Sequence, residues 1–316
     1  LAGGHIWFDQ VAIHDRMAPT QIVSASEIPQ EALSRLTSIR GSICGMDMDR
    51  PQLMGILNVT PDSFSDGGQF LDPQEAERQA HQMQIEGADI IDVGGESTRP
   101  GAKQVPADEE IARTQKVIAA IRARSNVPIS IDTRKANVAR AAIAAGATLI
   151  NDVAAFTFDA DLAKGAADAA VPVCLMHAQG DPQTMQDDPS YGNVLLDVYD
   201  FLAERISFAV SAGIPEDQII VDPGIGFGKT VQHNLALLKG IALFHSLGCP
   251  ILLGASRKRF IGALGGGETA TDRISGSVAV ALHAARQGVQ ILRVHDIFAT
   301  NQALKLEWAI SRADRT

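Results

Sequence analysis

From Gln52 onward the chain alternates between two kinds of segment. Short runs of apolar, largely β-branched residues lie at 53–59, 89–93, 129–132, 148–153, 171–177, 219–222, 251–255 and 291–294. Longer stretches at 73–86, 109–124, 135–145, 195–212, 234–247 and 274–287 carry apolar residues at helical spacing. A continuous apolar run marks a strand buried on both faces, as in a parallel sheet covered by helices. Gly-Ala-Asp, Gly-Ala-Thr, Val-Pro and Cys-Pro punctuation precedes several runs, as short helix-to-strand loops require. Eight βα units over roughly 250 residues predict an α/β fold of the TIM (β/α)8 barrel class. A doubly wound sheet would need a Gly-rich dinucleotide turn after its first strand, and Asn58-Val59-Thr60-Pro61 is not one.

Residues 1–50 lack this rhythm. A strand is expected within 6–13 and a short helix within 29–40. The expectation is an N-terminal extension, 1–50, that packs on the barrel or closes its bottom, followed by the barrel at 51–316.

Composition narrows the class. At 316 residues, 46% hydrophobic and 20% charged, the chain can bury a sizeable core. A formal net charge of -10 disfavours a nucleic-acid partner. The compact basic cluster Arg257-Lys258-Arg259 suits a small anion better than a duplex. Cys44, Cys174 and Cys249 are too far apart for a zinc site or a disulfide framework. No run approaches the roughly 20 apolar residues of a membrane helix, and no basic segment followed by an apolar one opens the sequence. A cytoplasmic protein without a membrane partner is expected.

The candidate chemistry lies where the predicted strands end, since barrel sites are built there. The ends carry Asn58, Asp92, Asp132, Asn151-Asp152, Met176-His177, Asp222, Ser256-Arg257-Lys258, and Arg293 with His295 and Asp296. Strand interiors are nearly all apolar, so these polar ends converge on one rim. Burying them together is costly unless a ligand or metal partners them. Asp132, Asn151 and Asp222 offer acceptors for a planar nitrogen heterocycle. Arg293, His295, Arg257 and Lys258 supply positive charge from the last two strands, where such barrels hold phosphate. The stretch 223–230 fails as a Walker A loop because Pro223 occupies the first glycine position. His177 has no second His or Cys at ligand spacing and reads as a hydrogen-bonded structural histidine.

The rim motifs resemble those of dihydropteroate synthases. GILNVTPDSFSDGG stands at 55–68 and DIIDVGGESTRPGA at 89–102. SIDT, IND, LMH with QG, DPGIGFGK, GASRKRFIG and RVHD follow in order between 130 and 296. The resemblance covers about residues 51–306. It implies condensation of a pterin diphosphate with p-aminobenzoate and a sulfonamide target. Asp132, Asn151, Met176, Asp222, Phe227, Lys258 and Arg293 would hold the pterin. Asn58, Thr98, Arg99, Arg293 and His295 would bind the diphosphate, with Mg2+ ligated through Asn58. Phe64, Thr98, Pro100, Phe227, Ser256 and Lys258 would form the p-aminobenzoate pocket. Asp132, Lys258, Arg293 and His295 would carry catalysis. The loops at 60–68 and 94–101 would close over the site, and the resemblance implies a homodimer. Ala178, Asp181 and the first fifty residues depart from the family pattern.

Three other readings compete. Lys258 at a strand end would suit a Schiff-base lyase. The same barrel also serves pterin-dependent methyl transfer to a corrinoid partner, but the intact p-aminobenzoate loops argue against it. A pterin-binding module without activity would not need Asn58, Arg293 and His295.

Overall fold

The computed structural model describes residues 1–60, 72–99, 101–180, 184–311 and 313. A hairpin comes first, with β1 (Gln10–Ile13) antiparallel to β2 (Gln21–Ser24). Helix α1 (Gln30–Thr37) follows. Then the βα rhythm begins, with β3 (Gln52–Asn58), α2 (Pro73–Glu86), β4 (Ile90–Gly94), α3 (Ala107–Arg122), β5 (Ile129–Asp132), α4 (Ala136–Ala145), β6 (Leu149–Asp152), α5 (Asp161–Ala169) and β7 (Val173–Met176). It continues through α6 (Val194–Ser211), β8 (Ile219–Asp222), α7 (Val231–Lys239), β9 (Leu252–Leu253), α8 (Arg259–Gly265), α9 (Ile274–Arg286), β10 (Ile291–Val294) and α10 (Ile297–Ser311).

Strands β3 to β10 are all parallel, in the order β8-β7-β6-β5-β4-β3-β10-β9. A parallel bridge between Val221 and Ile251 joins the two ends of this order and closes the ring. This is the predicted barrel. Local chemistry starts its helices: Asp72 caps α2 by accepting from Gln74 N, with Pro73 in the first turn. A reciprocal Thr230–His233 capping pair opens α7.

Strand alternation sorts the side chains into two environments. Leu53, Ile91, Ile131, Ile150, Leu175 and Val221 face outward and pack beneath the helices. Met54, Ile90, Leu149, Cys174, Ile220 and Ile291 form a separate buried cluster with Ile43, Met46 and Met48. The segment 43–48 therefore seals the barrel beneath the starts of its strands. Two residues further along each strand, on the same face, the inward positions turn polar: Asp92 follows Ile90, Asn151 follows Leu149, Asp222 follows Ile220 and Arg293 follows Ile291. The greasy lower layer holds the polar upper layer at a fixed height.

Several boundaries differ from the sequence expectation. The seventh barrel strand keeps only two residues, Leu252–Leu253. The helix expected over 234–247 breaks at Gly240 into α7 and a 3-10 turn, Ile241–Leu247. Of the strand expected within 6–13 only Gln10–Ile13 forms, and its partner β2 was not expected. The eight βα units call for helices after each strand, but α5, α8 and α10 were not located: α5 spans only nine residues and buries only Leu162, Ala163 and Ala166.

The seal yields a stability test. Ile43 is fully buried, whereas Ile39 is 80% exposed. Ile43→Ala should lower the unfolding free energy by about 2–4 kcal/mol, and Ile39→Ala by less than about 0.5 kcal/mol. Urea denaturation of both variants measures this, and equal losses would contradict the seal.

Candidate active site

One side chain organises the polar upper layer. Arg293 on β10 reaches past β3, where its Nε donates to Asp92 Oδ2 on β4 at 2.6 Å. Its Nη2 donates to Asp132 Oδ2 on β5 at 2.9 Å. Both aspartates are buried, Asp92 completely. One guanidinium thus faces two carboxylates. Burial pushes Asp132 up to about 7, Arg293 opposes that push, and the Asp92 charge reinforces it. Despite its own burial, Arg293 is held charged by Asp92 and Asp132. The two shifts pull the Asp132–Arg293 pair in opposite senses. The upward direction for Asp132 is the one we stand behind, because a single cation cannot neutralise two buried anions.

Three polar atoms around this pair are buried with no partner among the described residues: Asp92 Oδ1, Asp132 Oδ1 and Ser130 Oγ. A bare buried acceptor costs on the order of 1–3 kcal/mol. A ligand with N–H donors would satisfy them. Asn151 Nδ2 lies 3.4 Å from Asp92 Oδ2 and extends the network onto β6. Strand register aligns Asn58 with Gly94 and Gly94 with Asp132, so Asn58 sits on the same rim level as Asp132.

On the far side, Asp222 Oδ1 accepts from Gly224 N at 2.7 Å, and burial raises its carboxyl while Lys258 opposes the rise. Gly224 has φ +67 and lies so close to the neighbouring loop that a Cβ would fall 1.9 Å from His177 O. Only glycine fits there. Lys258 Nζ donates to Ile225 O and stands 4.4 Å from the centre of the Phe227 ring. Burial lowers Lys258 to about 8, with Asp222 resisting. Met176, buried at the end of β7, is paired in register with Asp222. Asp132, Asn151, Met176, Asp222, Lys258, Phe227 and Arg293 thus come from one rim.

His295 and Ser256 meet at 3.1 Å between Nδ1 and Oγ. Sequence reasoning treated His295 as a source of positive charge, and the structure corrects this. Burial lowers it to about 3, helped by Arg293, Arg257 and Arg99, so the ring is neutral. Arg257 is likewise diverted, since its Nε donates to Asp296 Oδ2 at 2.9 Å. Thr98 and Arg99 lie on the loop after β4, Arg99 exposed. Phe64, Pro100 and Asp181 lie outside the described residues, as does most of the 60–68 loop.

His177 is the structural histidine that its isolation predicted: its Nδ1 lies 2.9 Å from Lys229 Nζ. Lys229 itself went unread, although its Nζ also donates to Phe227 O at 3.0 Å and ties the two loops together. Asp92 was read as a strand end without a role, yet it is the nearest partner of Arg293. Its parity with Ile90 was the available signal. Asp152 staples its own loop, accepting from Ala154 N and Phe156 N.

Comparison with known proteins bears on this rim directly. The profile of the family described as pterin binding enzyme matches residues 54–295. The dihydropteroate synthase of Haemophilus influenzae is 48% identical over 268 residues, covering 85% of this chain and 97% of the relative. The chain belongs to the dihydropteroate synthases of the pterin-binding family. Such an enzyme is a transferase, and its solved members share the barrel. The Xanthomonas albilineans dihydropteroate synthase with 4-aminobenzoic acid superposes with a TM-score of 0.81 at 46% identity, covering 86% of this chain and 98% of that one. The same organism's enzyme in complex with 7,8-dihydropteroate gives 0.76 at 43% identity, covering 84% and 95%.

The uneven charge around Arg293 has a consequence for stability. Asp132 carries a folded pKa of about 7 against an ordinary 3.8, so folding favours its protonated form. Its contribution is fully present below the ordinary value and is lost as pH rises through about 7. Asp132→Asn leaves Arg293 paired one-to-one with Asp92 and should escape that loss. Between about pH 5 and about pH 8 the Tm of the variant should gain on that of the wild type. Calorimetric scans across the range decide the point, and a constant difference would show that Asp132 is not the strained group.

Proposed function

We propose that this chain condenses 6-hydroxymethyl-7,8-dihydropterin diphosphate with p-aminobenzoate, giving 7,8-dihydropteroate and diphosphate for folate biosynthesis. The observation that carries the reading is the set of unpartnered acceptors around Arg293, placed beside a cationic edge. A pterin offers amino and ring N–H groups to Asp92, Asp132, Asn151 and Asp222. Met176 packs on the ring, while Lys258 and Phe227 border it.

The reaction needs charge stabilisation more than covalent chemistry. As the methylene–oxygen bond breaks, negative charge grows on the diphosphate. Arg293, held cationic by its two carboxylates, stabilises that charge, with Arg99 and Thr98 from the neighbouring loop. The neutral His295 suits the same task. With the Ser256 hydroxyl donating to Nδ1, Nε2 carries the proton and donates to the diphosphate. The cation left on the methylene is delocalised into the pterin, whose N–H donation to Asp132 favours the ionised carboxylate that supports the ring. The arylamine nitrogen then forms the new C–N bond and releases a proton. Thr98, Phe227, Ser256 and Lys258, with Phe64 and Pro100, form the p-aminobenzoate pocket in this reading. The glycine-rich loops at 60–68 and 94–101 keep out water, whose attack would waste the pterin.

The donor set fits a magnesium ion held mainly by substrate. Among the described residues no cluster of three His, Cys, Asp or Glu is placed to hold a metal. Mg2+ commonly keeps several waters and takes phosphate oxygens, so the Asn58 amide oxygen suffices as a protein contact. When bound, the ion would neutralise diphosphate charge. The same reading takes the chain as a cytoplasmic homodimer. A net charge of -10 disfavours nucleic acid, and among the described residues no helix is long and apolar enough to cross a membrane.

Mixing the protein with the pterin diphosphate, p-aminobenzoate and Mg2+ should yield dihydropteroate by mass spectrometry, and a chelator should abolish it. Absence of product with Mg2+ present would overturn the assignment, and full activity in chelator would remove the metal from it. His295→Ala should lower kcat by about 10²–10³-fold, and near-normal turnover would exclude His295 from leaving-group stabilisation.

A further inference from the structure

We propose that Glu96 is a positioning residue that closes the loop after β4 and registers it against the Asp132 end of β5. The inference rests on the function proposed above, because that loop carries Thr98 and Arg99. Glu96 is 6% exposed, and its carboxylate is divided between two tasks. Oε1 accepts from Val105 N at 2.8 Å, which joins the start of the loop to its far end. Oε2 accepts from Lys135 Nζ at 3.1 Å and lies 3.4 Å from Arg134 Nη2. Both cations sit two to three residues beyond Asp132. Lys135 completes the tie by donating to Val105 O at 2.7 Å and to the fully buried Glu110 of α3 at 2.6 Å.

The loop root is clamped from the other side as well. Arg113 Nη1 donates to Gly95 O at 2.7 Å. A Cβ on Gly95 would come 2.7 Å from Thr114 Cγ2, so the backbone lies directly on α3. Four charged groups, Glu96, Glu110, Arg134 and Lys135, are thus buried together outside the substrate rim. Buried ion pairs of this kind seldom add stability over apolar residues of similar volume. Their geometric effect is specific: the two ends of the loop and the Asp132 strand end are held by one carboxylate. Glu96 touches no reacting atom in this arrangement. It acts through Arg99 and Thr98.

Glu96→Gln keeps the length and the Oε1 acceptor but loses the charge that holds Lys135 and Arg134. The variant should raise KM for both p-aminobenzoate and the pterin diphosphate at least tenfold. Its affinity for the bare pterin, which lacks the diphosphate that Arg99 would meet, should stay within twofold of wild type. Amide hydrogen exchange in 97–105 should accelerate while β5 stays protected. Unchanged KM values with unchanged exchange would overturn the proposal, and so would a parallel loss of bare-pterin affinity, which marks a general structural defect. Should Glu96→Gln not fold, Glu96→Asp keeps the buried charge but cannot span Val105 and Lys135, and the same outcomes are expected of it. The exchange comparison needs no turnover, so a wild type without product would sink the proposed function while leaving this tie testable.

Discussion

The site depends on one arginine placed between two buried aspartates. Arg293 cannot relax toward solvent without leaving Asp92 and Asp132 as uncompensated anions in the barrel interior, and that is among the costlier things a fold can do. Yet one positive charge does not balance two negative ones, so the resting protein keeps a surplus of acceptors. That surplus is what a donor-rich heterocycle relieves. Stability is given up where function requires it, and the apolar layer of Met54, Ile90, Leu149, Ile220 and Ile291 beneath supplies the support.

The rest of the architecture follows from keeping that arginine in place. Period-two alternation puts Ile291 in the greasy layer and Arg293 in the polar one, on the same face of the same strand. The seal at 43–48 closes the barrel from below, leaving the strand ends at the top as the site. There, loops are joined pairwise rather than left separate. Lys229 bonds His177 and Phe227, and Glu96 joins 105 to the end of β5. A reaction run by positioning and electrostatics gains from such rigidity.

Much of this was legible in the sequence, because strands buried on both faces leave continuous apolar runs and a polar residue at a run's end stands out. Asp132, Asn151, Asp222, Lys258 and Arg293 were found that way. Elements that depend on tertiary contacts were not. Strand β2 is an exposed partner of β1 with no buried face to pattern it. The apolar run at 251–255 marked the place of β9 but not its length, since only Leu252–Leu253 pair as strand. The neutral state of His295 was not legible because it comes mainly from burial, reinforced by the charges of Arg293, Arg257 and Arg99, and burial is set by the fold. Nothing in the linear sequence joins Glu96, Glu110, Arg134 and Lys135, which only folding brings into one buried cluster.

The central claim is that the unpartnered acceptors around Arg293 receive the pterin. The most direct measurement is a crystal structure of the chain with the pterin diphosphate and Mg2+. The account requires a ring or amino N–H of the pterin within hydrogen-bonding distance of Asp132 Oδ1, with the diphosphate on the side of Arg99 and His295. A pterin bound elsewhere, with Asp92 Oδ1 and Asp132 Oδ1 still bare, would contradict it.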